Sequence, residues 1–374
     1  MPLLLAPAGS MQALKAAIDA GADEIYLGGS EFNARINAAN FNRDDLLRAR
    51  KLCDGASVGM HITLNTLIFD KEFKAVLDYV DFLANDVRPD AIIIQDLGLA
   101  SVIRKQYPDL PLHASTQMRI HSFGDAKYLK SLGFTRAVLA RVFSRASAAV
   151  STPRSAVFGE IRAAICVSES GGCLMSSVIG NRSGNRGECA QPCRLPYRAK
   201  EKFALSVKDM CLAGRMTEVF ETGVTSLKIE GRMKAPEYVS TVVSIYRRLI
   251  DERRNATQKE IEILENVFSR SGFTDGYFKS KINKSMFGVR TELDKQKSEL
   301  FKPKLPVFCG TRRKHEQPKP TPIIIPTRDE EKTLHPAKQK GFVFRFEGKL
   351  PSKQFLEKYE PISLSLCRYG RTHK

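Results

Sequence analysis

Four cysteines, Cys166, Cys173, Cys189 and Cys193, fall close together in the spacing Cys-x6-Cys-x15-Cys-x3-Cys. They are half of the chain's 8 cysteines. Thiolates are preferred ligands of zinc and of iron–sulfur clusters, so this density points first to a soft-metal centre. Gly171 and Gly172 precede Cys173 and supply the backbone freedom that would aim Cys166 and Cys173 at one point. Pro192 stiffens the second, closer pair. Structural zinc sites favour cysteine pairs about two to four residues apart, and the first gap here is looser. A [4Fe–4S] cluster, zinc, and unligated buried thiols all stay open on spacing alone. Cys211 is a spare candidate for the fourth position but reads better as a core residue at the start of a helix. Cys53, Cys309 and Cys367 stand alone and read as structural.

A second constellation is polar. Asn65, Gln95, Asp96, His113, Ser115, Gln117, Lys228, Glu230 and Arg232 all fall at or just beyond the ends of short apolar runs. Arg35 follows another such run. Arginine and lysine hold carboxylates, arginine in a bidentate fork. Arg35 and Arg232 are therefore the candidate anion ligands, and His113 and Glu230 the candidates for proton handling. Lys228, Glu230 and Arg232 alternate and could instead form a salt-bridge ladder; His113 could simply close a strand.

The elements that must position these residues follow from hydrophobic periodicity. Strands are expected over 3–6, 24–27, 59–65, 91–95, 112–115, 136–140, 163–167 and 226–229, with helical patterns between them. Phe73, Val76, Leu77 and Val80 make one apolar helix face, as do Val239, Val242, Val243, Tyr246 and Leu249. The helix begun by Leu14, Ala17 and Ile18 should end at Gly21. Eight strands alternating with helices predict an α/β fold, a (β/α)8 TIM-like barrel over 1–255. The stretch 166–211 is then a cysteine-bearing insertion after strand 7, opening onto the face where such barrels place their active sites. A helical extension is expected over 256–300, a Pro/Lys-rich linker over 301–340 and a partial small unit over 341–374.

Formal net charge is +18 and the isoelectric point is near 9.6. Half of that excess lies between Lys279 and Lys340, giving a basic, partly extended C-terminal region that would attract a polyanion such as RNA. Tyr277, Phe278 and Phe287 are interleaved there and could stack on bases. No apolar run is long enough for a transmembrane helix. The N-terminal segment has no basic leader, so a cytoplasmic location is expected, where thiols stay reduced.

Several motifs carry a resemblance. They are Leu5-Ala6-Pro7-Ala8-Gly9-Ser10, Phe32-Asn33-Ala34-Arg35, His113-Ala114-Ser115-Thr116-Gln117-Met118, Arg186-Gly187-Glu188-Cys189-Ala190-Gln191-Pro192-Cys193 and Lys228-Ile229-Glu230-Gly231-Arg232-Met233-Lys234. Together they resemble the family labelled U32 peptidases, or collagenase-like proteases. The resemblance implies hydroxylation of an RNA base or a quinone precursor without molecular oxygen, a [4Fe–4S] cluster, and prephenate as the source of the oxygen atom. One branch acts on a transfer RNA uridine and another on a ribosomal RNA cytidine. The segments 272–278 and 286–290 are most similar to the longer members, which include the ribosomal branch. Members of that type continue past residue 374, so a shortened C-terminus is expected here. Just before Cys166 the family presents Glu-x-Phe-x-x-Gly; residues 158–163 depart from it, and no role is carried onto them. A peptidase is the alternative, although neither an H-E-x-x-H nor a Gly-x-Ser-x-Gly motif occurs. Transfer RNA hydroxylation and a non-enzymatic RNA-binding protein complete the alternatives; the basic region disfavours a quinone precursor.

Overall fold

The computed structural model describes residues 1–35, 38–140, 157–198 and 202–301. The linker expected over 301–340 lies outside the described residues from 302 onward, as do Cys309, Cys367 and the unit expected over 341–374. The chain divides into two units, Met1–Ile325 and Pro326–Lys374, the second wholly outside the described residues.

Parallel strands form a ring. β1 (Leu3–Pro7), β2 (Glu24–Gly28), β3 (Gly59–Leu64), β4 (Ala91–Ile94), β5 (Leu112–Ala114), β6 (Phe134–Val138) and β7 (Val157–Ala164) are neighbours in chain order. After the short β8 (Asp209–Cys211), β9 (Ser226–Ile229) pairs in parallel with both β1 and β7 and closes the ring. The expected eight-stranded barrel is thus present. β8 runs antiparallel along the end of β7, and β10 (Phe273–Thr274) pairs with β8 outside the ring.

The strands are apolar on both faces, as in Ala91–Ile94, because a parallel sheet is covered on both sides. Alternation at period two sends Leu5, Tyr26, Ile93 and Val138 into one inner layer, while Leu4, Ile25, Ile92 and Ile94 pack outward against the helices. Each fully buried aliphatic side chain contributes about 1.5–3 kcal/mol. α1 (Met11–Asp19) is capped by Ser10, whose hydroxyl accepts from Ala13 N at 3.2 Å, and Gly21 follows it at φ +90°. α2 (Arg43–Ala56), α3 (Phe73–Phe82), α4 (Leu97–Gln106) and α5 (Phe123–Ser131) follow β2, β3, β4 and β5. α6 (Met175–Gly180) lies in the cysteine insertion and α7 (Met216–Glu221) precedes β9. α8 (Pro236–Glu252) buries Val239, Val242, Val243, Tyr246 and Leu249, the expected face. α9 (Gln258–Val267) and α10 (Glu292–Phe301) follow it in the chain. No helix among the described residues is long and apolar enough to cross a membrane.

Two expectations are corrected. The seventh strand was expected over 163–167 and lies at Val157–Ala164. Glu160 and Arg162 disguised it, because charged residues inside a barrel strand read locally as loop. The segment around Cys211 was expected to begin a helix and instead holds β8, a strand too short to show a period.

Candidate functional site

The barrel interior is polar at two levels. At the lower one, Glu24 Oε1 is 2.6 Å from Arg136 Nη1 and 3.6 Å from His61 Nε2, and Ser226 Oγ donates to Glu24 Oε2 at 3.2 Å. His113 lies in this buried region, its ring 4.9 Å from His61 in an edge-on pair. Burial, then His61 and Arg136, push the His113 imidazole well below its ordinary range, so it is neutral. Expected at the end of an apolar run and as a proton-handling residue, His113 is a buried side chain within β5, paired in register with Ile93. Higher up, Lys228 Nζ is 3.1 Å from Glu160 Oε1, and Thr116 Oγ1 donates to the same oxygen at 3.3 Å. Glu160 is fully buried, and the Lys228 ammonium also lies 4.7 Å from the Tyr26 ring centroid. Removing one partner of a buried pair costs about 3–5 kcal/mol because the other charge is stranded.

At the mouth, Arg232 turns back into the barrel and is 4% exposed. Its Nη1 donates to Thr63 Oγ1 at 2.6 Å, and its Nη2 donates to Asn33 Oδ1 at 2.6 Å and Asn40 Oδ1 at 3.0 Å. Gly28 makes the room: a Cβ there would lie 2.5 Å from Nη2. All three partners are neutral, and Nε is buried with no hydrogen-bond partner among the described residues. Burial, then the nearby Arg35 charge, pull the guanidinium down to about 10. Glu230 follows β9, accepts from Ala164 N at 3.4 Å, and is 3.6 Å from Arg35 Nη2. Arg35, Glu230 and Arg232 are therefore brought together, whereas Lys228 serves the interior pair.

The cysteine insertion is fastened to this mouth. Gln95 and Asn185 exchange amide hydrogen bonds at 2.9 and 3.2 Å. Gln95 also donates to Asn65 O at 3.0 Å, and Asn65 Oδ1 accepts from Ala34 N at 3.1 Å. Gln117 Nε2 donates to Asn185 O at 3.4 Å, and Ser115 caps the turn that carries Gln117. Arg186 grips Glu72 through two bonds, at 2.5 and 3.1 Å. Asp96 caps α4 by accepting from Leu99 N at 2.9 Å, a structural role. Gly171 adopts φ +77°, the turn expected before Cys173.

Backbone and hydroxyl donors already point at the sulfurs. Cys173 Sγ accepts from Met175 N at 3.5 Å, while Cys189 Sγ accepts from Gln191 N at 3.3 Å and Ser176 Oγ at 3.7 Å. Burial pushes the Cys193 thiol up, Arg194 opposes this, and Cys166, Cys189 and Cys173 each raise it further, so the four are electrostatic neighbours. Among the described residues, no three Cys, His, Asp or Glu side chains are grouped so as to hold a metal ion. Cys211 is buried on β8 with its sulfur 3.4 Å from the Tyr246 hydroxyl, in the core.

Sequence reasoning missed Glu160, Asn33, Asn40, Thr63 and Asn185. Glu160 and Arg162 alternate at period two, as Lys228 and Glu230 do, and that was the available signal. Asn185 carried no local signal, since its role exists only where the insertion meets β4.

The chain is similar to known proteins over most of the described residues. The family model for peptidase family U32 matches residues 9–287. The 23S rRNA 5-hydroxycytidine synthase of Escherichia coli is 36% identical over 260 residues, covering 66% of this chain and 39% of that protein. The tRNA hydroxylation protein P1 of Bacillus subtilis is 33% identical over 267 residues, covering 67% of this chain and 63% of that protein. Less than two thirds of either relative's length is spanned. A protein of Porphyromonas gingivalis named collagenase is 32% identical over 306 residues, covering 74% and 73%. With three quarters of its length matched by one family model and a polar-mouthed barrel beneath its cysteine loop, the chain belongs to peptidase family U32.

Proposed function

We propose that this protein hydroxylates an RNA pyrimidine without molecular oxygen, with a ribosomal cytidine as the favoured target and a transfer RNA uridine as the alternative. The carrying observation is Arg232, a buried guanidinium held only by neutral oxygens at the mouth of the barrel. Glu230 acts on it without a hydrogen bond, and a buried guanidinium with no bonded carboxylate is costly unless a ligand supplies one. Prephenate, a dicarboxylate, would supply it, with Arg35 at the rim as the second anchor. The names of the Escherichia coli and Bacillus subtilis relatives favour RNA as the acceptor.

Cys166, Cys173, Cys189 and Cys193 would hold a [4Fe–4S] cluster, which when bound supplies one-electron chemistry beside the mouth. Four thiolates are also a structural zinc set. The family resemblance carries the preference for the cluster, and the action of Cys166, Cys189 and Cys173 on the Cys193 thiol supports their sharing one site. The donors to Cys173 and Cys189 sulfur would tune its potential.

The remaining steps belong to side chains. The target base must leave its stack to reach the mouth. Gln117 Oε1, buried without a hydrogen-bond partner among the described residues, suits the exocyclic amine of cytosine. Glu230, held by Ala164 N and Arg35, would take the proton released when a ring C–H becomes C–OH. That exchange is a two-electron oxidation of the base, and the oxygen donor is reduced by the same two electrons.

Mass spectrometry of ribosomal and transfer RNA nucleosides, from cells with and without the gene, tests the reading. One pyrimidine should lose a single oxygen atom in the deletion and regain it with the wild-type gene, but not with Arg232→Gln. Cys166→Ser protein purified anaerobically should lose its iron and visible absorbance. Unchanged nucleosides, with gelatin digested by the purified protein, would favour the peptidase of the family's name.

A further inference from the structure

Beside the mouth, three cationic side chains crowd one aromatic ring. Lys234 Nζ lies 2.8 Å from the Phe268 ring centroid, the Arg290 guanidinium 4.4 Å and the Arg270 guanidinium 5.3 Å. A fourth, Arg162, lies beneath them, donating to Phe268 O and stacking 4.2 Å from the Phe273 ring. Among the described residues, two carboxylates, Asp209 and Glu230, act on Lys234. Asp209 is 3% exposed and bonded to Arg270, and Glu230 is engaged by Arg35 and Ala164 N. Arg290 Nε is buried with no hydrogen-bond partner among the described residues.

Like charges so close repel unless an anion joins them. Lys234 is the most deeply affected of them. Its ammonium is pulled down to about 7, chiefly by burial; Glu230 and Asp209 oppose the shift, and Arg270 and Arg162 add to it. The cations are nonetheless held rigidly. Lys208 N donates to Met286 O at 2.8 Å, Gly288 N to Ser206 O at 2.8 Å, and Ser271 Oγ to Val289 O at 2.6 Å. These bonds lace together the segments that carry Arg270 and Arg290. A rigid group of partly accessible cations that outnumbers the carboxylates acting on it among the described residues is a preorganised anion site.

We propose that Lys234, Arg270 and Arg290, gathered on Phe268, bind a backbone phosphodiester of the RNA next to the nucleotide that enters the barrel. The inference rests on the RNA reading above. Lys234 and Arg232 leave the same loop two residues apart. Arg232 turns into the barrel toward Thr63 and Asn33, and Lys234 turns outward onto Phe268. One loop thus addresses an anion inside the mouth and a second anion beside it. Arginine forks match phosphate oxygens in pairs, and such contacts fix the register of a strand without reading its sequence.

The test uses the full chain, purified anaerobically, and a fluorescein-labelled single-stranded pyrimidine RNA oligonucleotide. Anisotropy titrations at several salt concentrations should show Arg290→Gln and Lys234→Gln each weakening binding about tenfold. Each should also lower the slope of log affinity against log salt by about one. Lys51→Gln, on the exposed side of α2, should match wild type. Thermal melting of RNA-free Arg290→Gln should not fall below wild type, because a crowded like charge has been removed. Wild-type affinity in both variants would overturn the phosphate site and leave the hydroxylase reading standing. Affinity lost together with melting temperature would assign these residues to structure and overturn it as well. No RNA binding by wild type would overturn it too, and the nucleoside comparison would then decide separately whether the hydroxylase reading survives.

Discussion

Lys234 gives the residue scale a direct thermodynamic signature. Its ammonium sits near 7 in the folded chain against 10.5 ordinarily, through burial and the charges of Arg270 and Arg162, with Glu230 and Asp209 opposing. Between those values the unfolded chain binds a proton that the folded chain does not. Stability must therefore rise with pH from about 7 toward 10.5. Thermal melts across that range should show the rise in wild type and a flatter profile in Lys234→Met. None of this was legible locally, because Lys234 reads as one more lysine in a basic chain. Arg232 was selected by its place after a strand, but its neutral cage of Thr63, Asn33 and Asn40 required β2, β3 and β9 to converge.

At the scale of elements, the start of α9 shows how much a short pattern specifies. Thr257 and Glu260 cap each other, with Thr257 Oγ1 accepting from Glu260 N at 3.3 Å and Glu260 accepting from Thr257 N at 2.9 Å. Arg254 adds a pair at 2.7 Å. The Arg254 bond first, and the Thr257 bonds with it, hold the Glu260 carboxyl down at about 2 against 4.5 ordinarily. The stability this gives is fully present above 4.5 and is lost as pH falls toward 2. Glu260→Gln should cost about 1–2 kcal/mol at neutral pH and nothing further in acid. Urea unfolding at neutral and acid pH reads the difference. The Thr-x-x-Glu pattern is a local helix-start signal, although the sequence reading placed the boundary here without using it. β7 was harder, because its inward Glu160 and Arg162 are satisfied only by the strands and loops that surround them.

For the whole molecule, the question is how a long insertion keeps its cysteines above the barrel. Arg186 on Glu72 and Asn185 on Gln95 are the tethers, one to the segment before α3 and one to the end of β4. Arg186→Gln should speed amide hydrogen exchange across 173–193 several-fold, as local opening becomes easier, while β1 to β4 keep their protection. Equal acceleration in the barrel strands would mean that the insertion and the barrel open as one unit. The aromatics expected to stack on RNA divide once the chain is folded: Phe278 is buried core, Tyr277 is half-buried and Phe287 is exposed.

By itself, the sequence determined the alternating strands and helices, the apolar helix faces, the cysteine cluster and the family motifs. All of these are local patterns of period and spacing, fixed by backbone geometry and side-chain hydrophobicity. Only the tertiary structure decided which polar residues meet. Barrel closure put Glu160 against Lys228, Arg232 among neutral oxygens, His113 in the interior and Lys234 with two arginines on Phe268. Those pairings join residues far apart in the chain, and their energies come from burial and charge that exist only once the ring has closed.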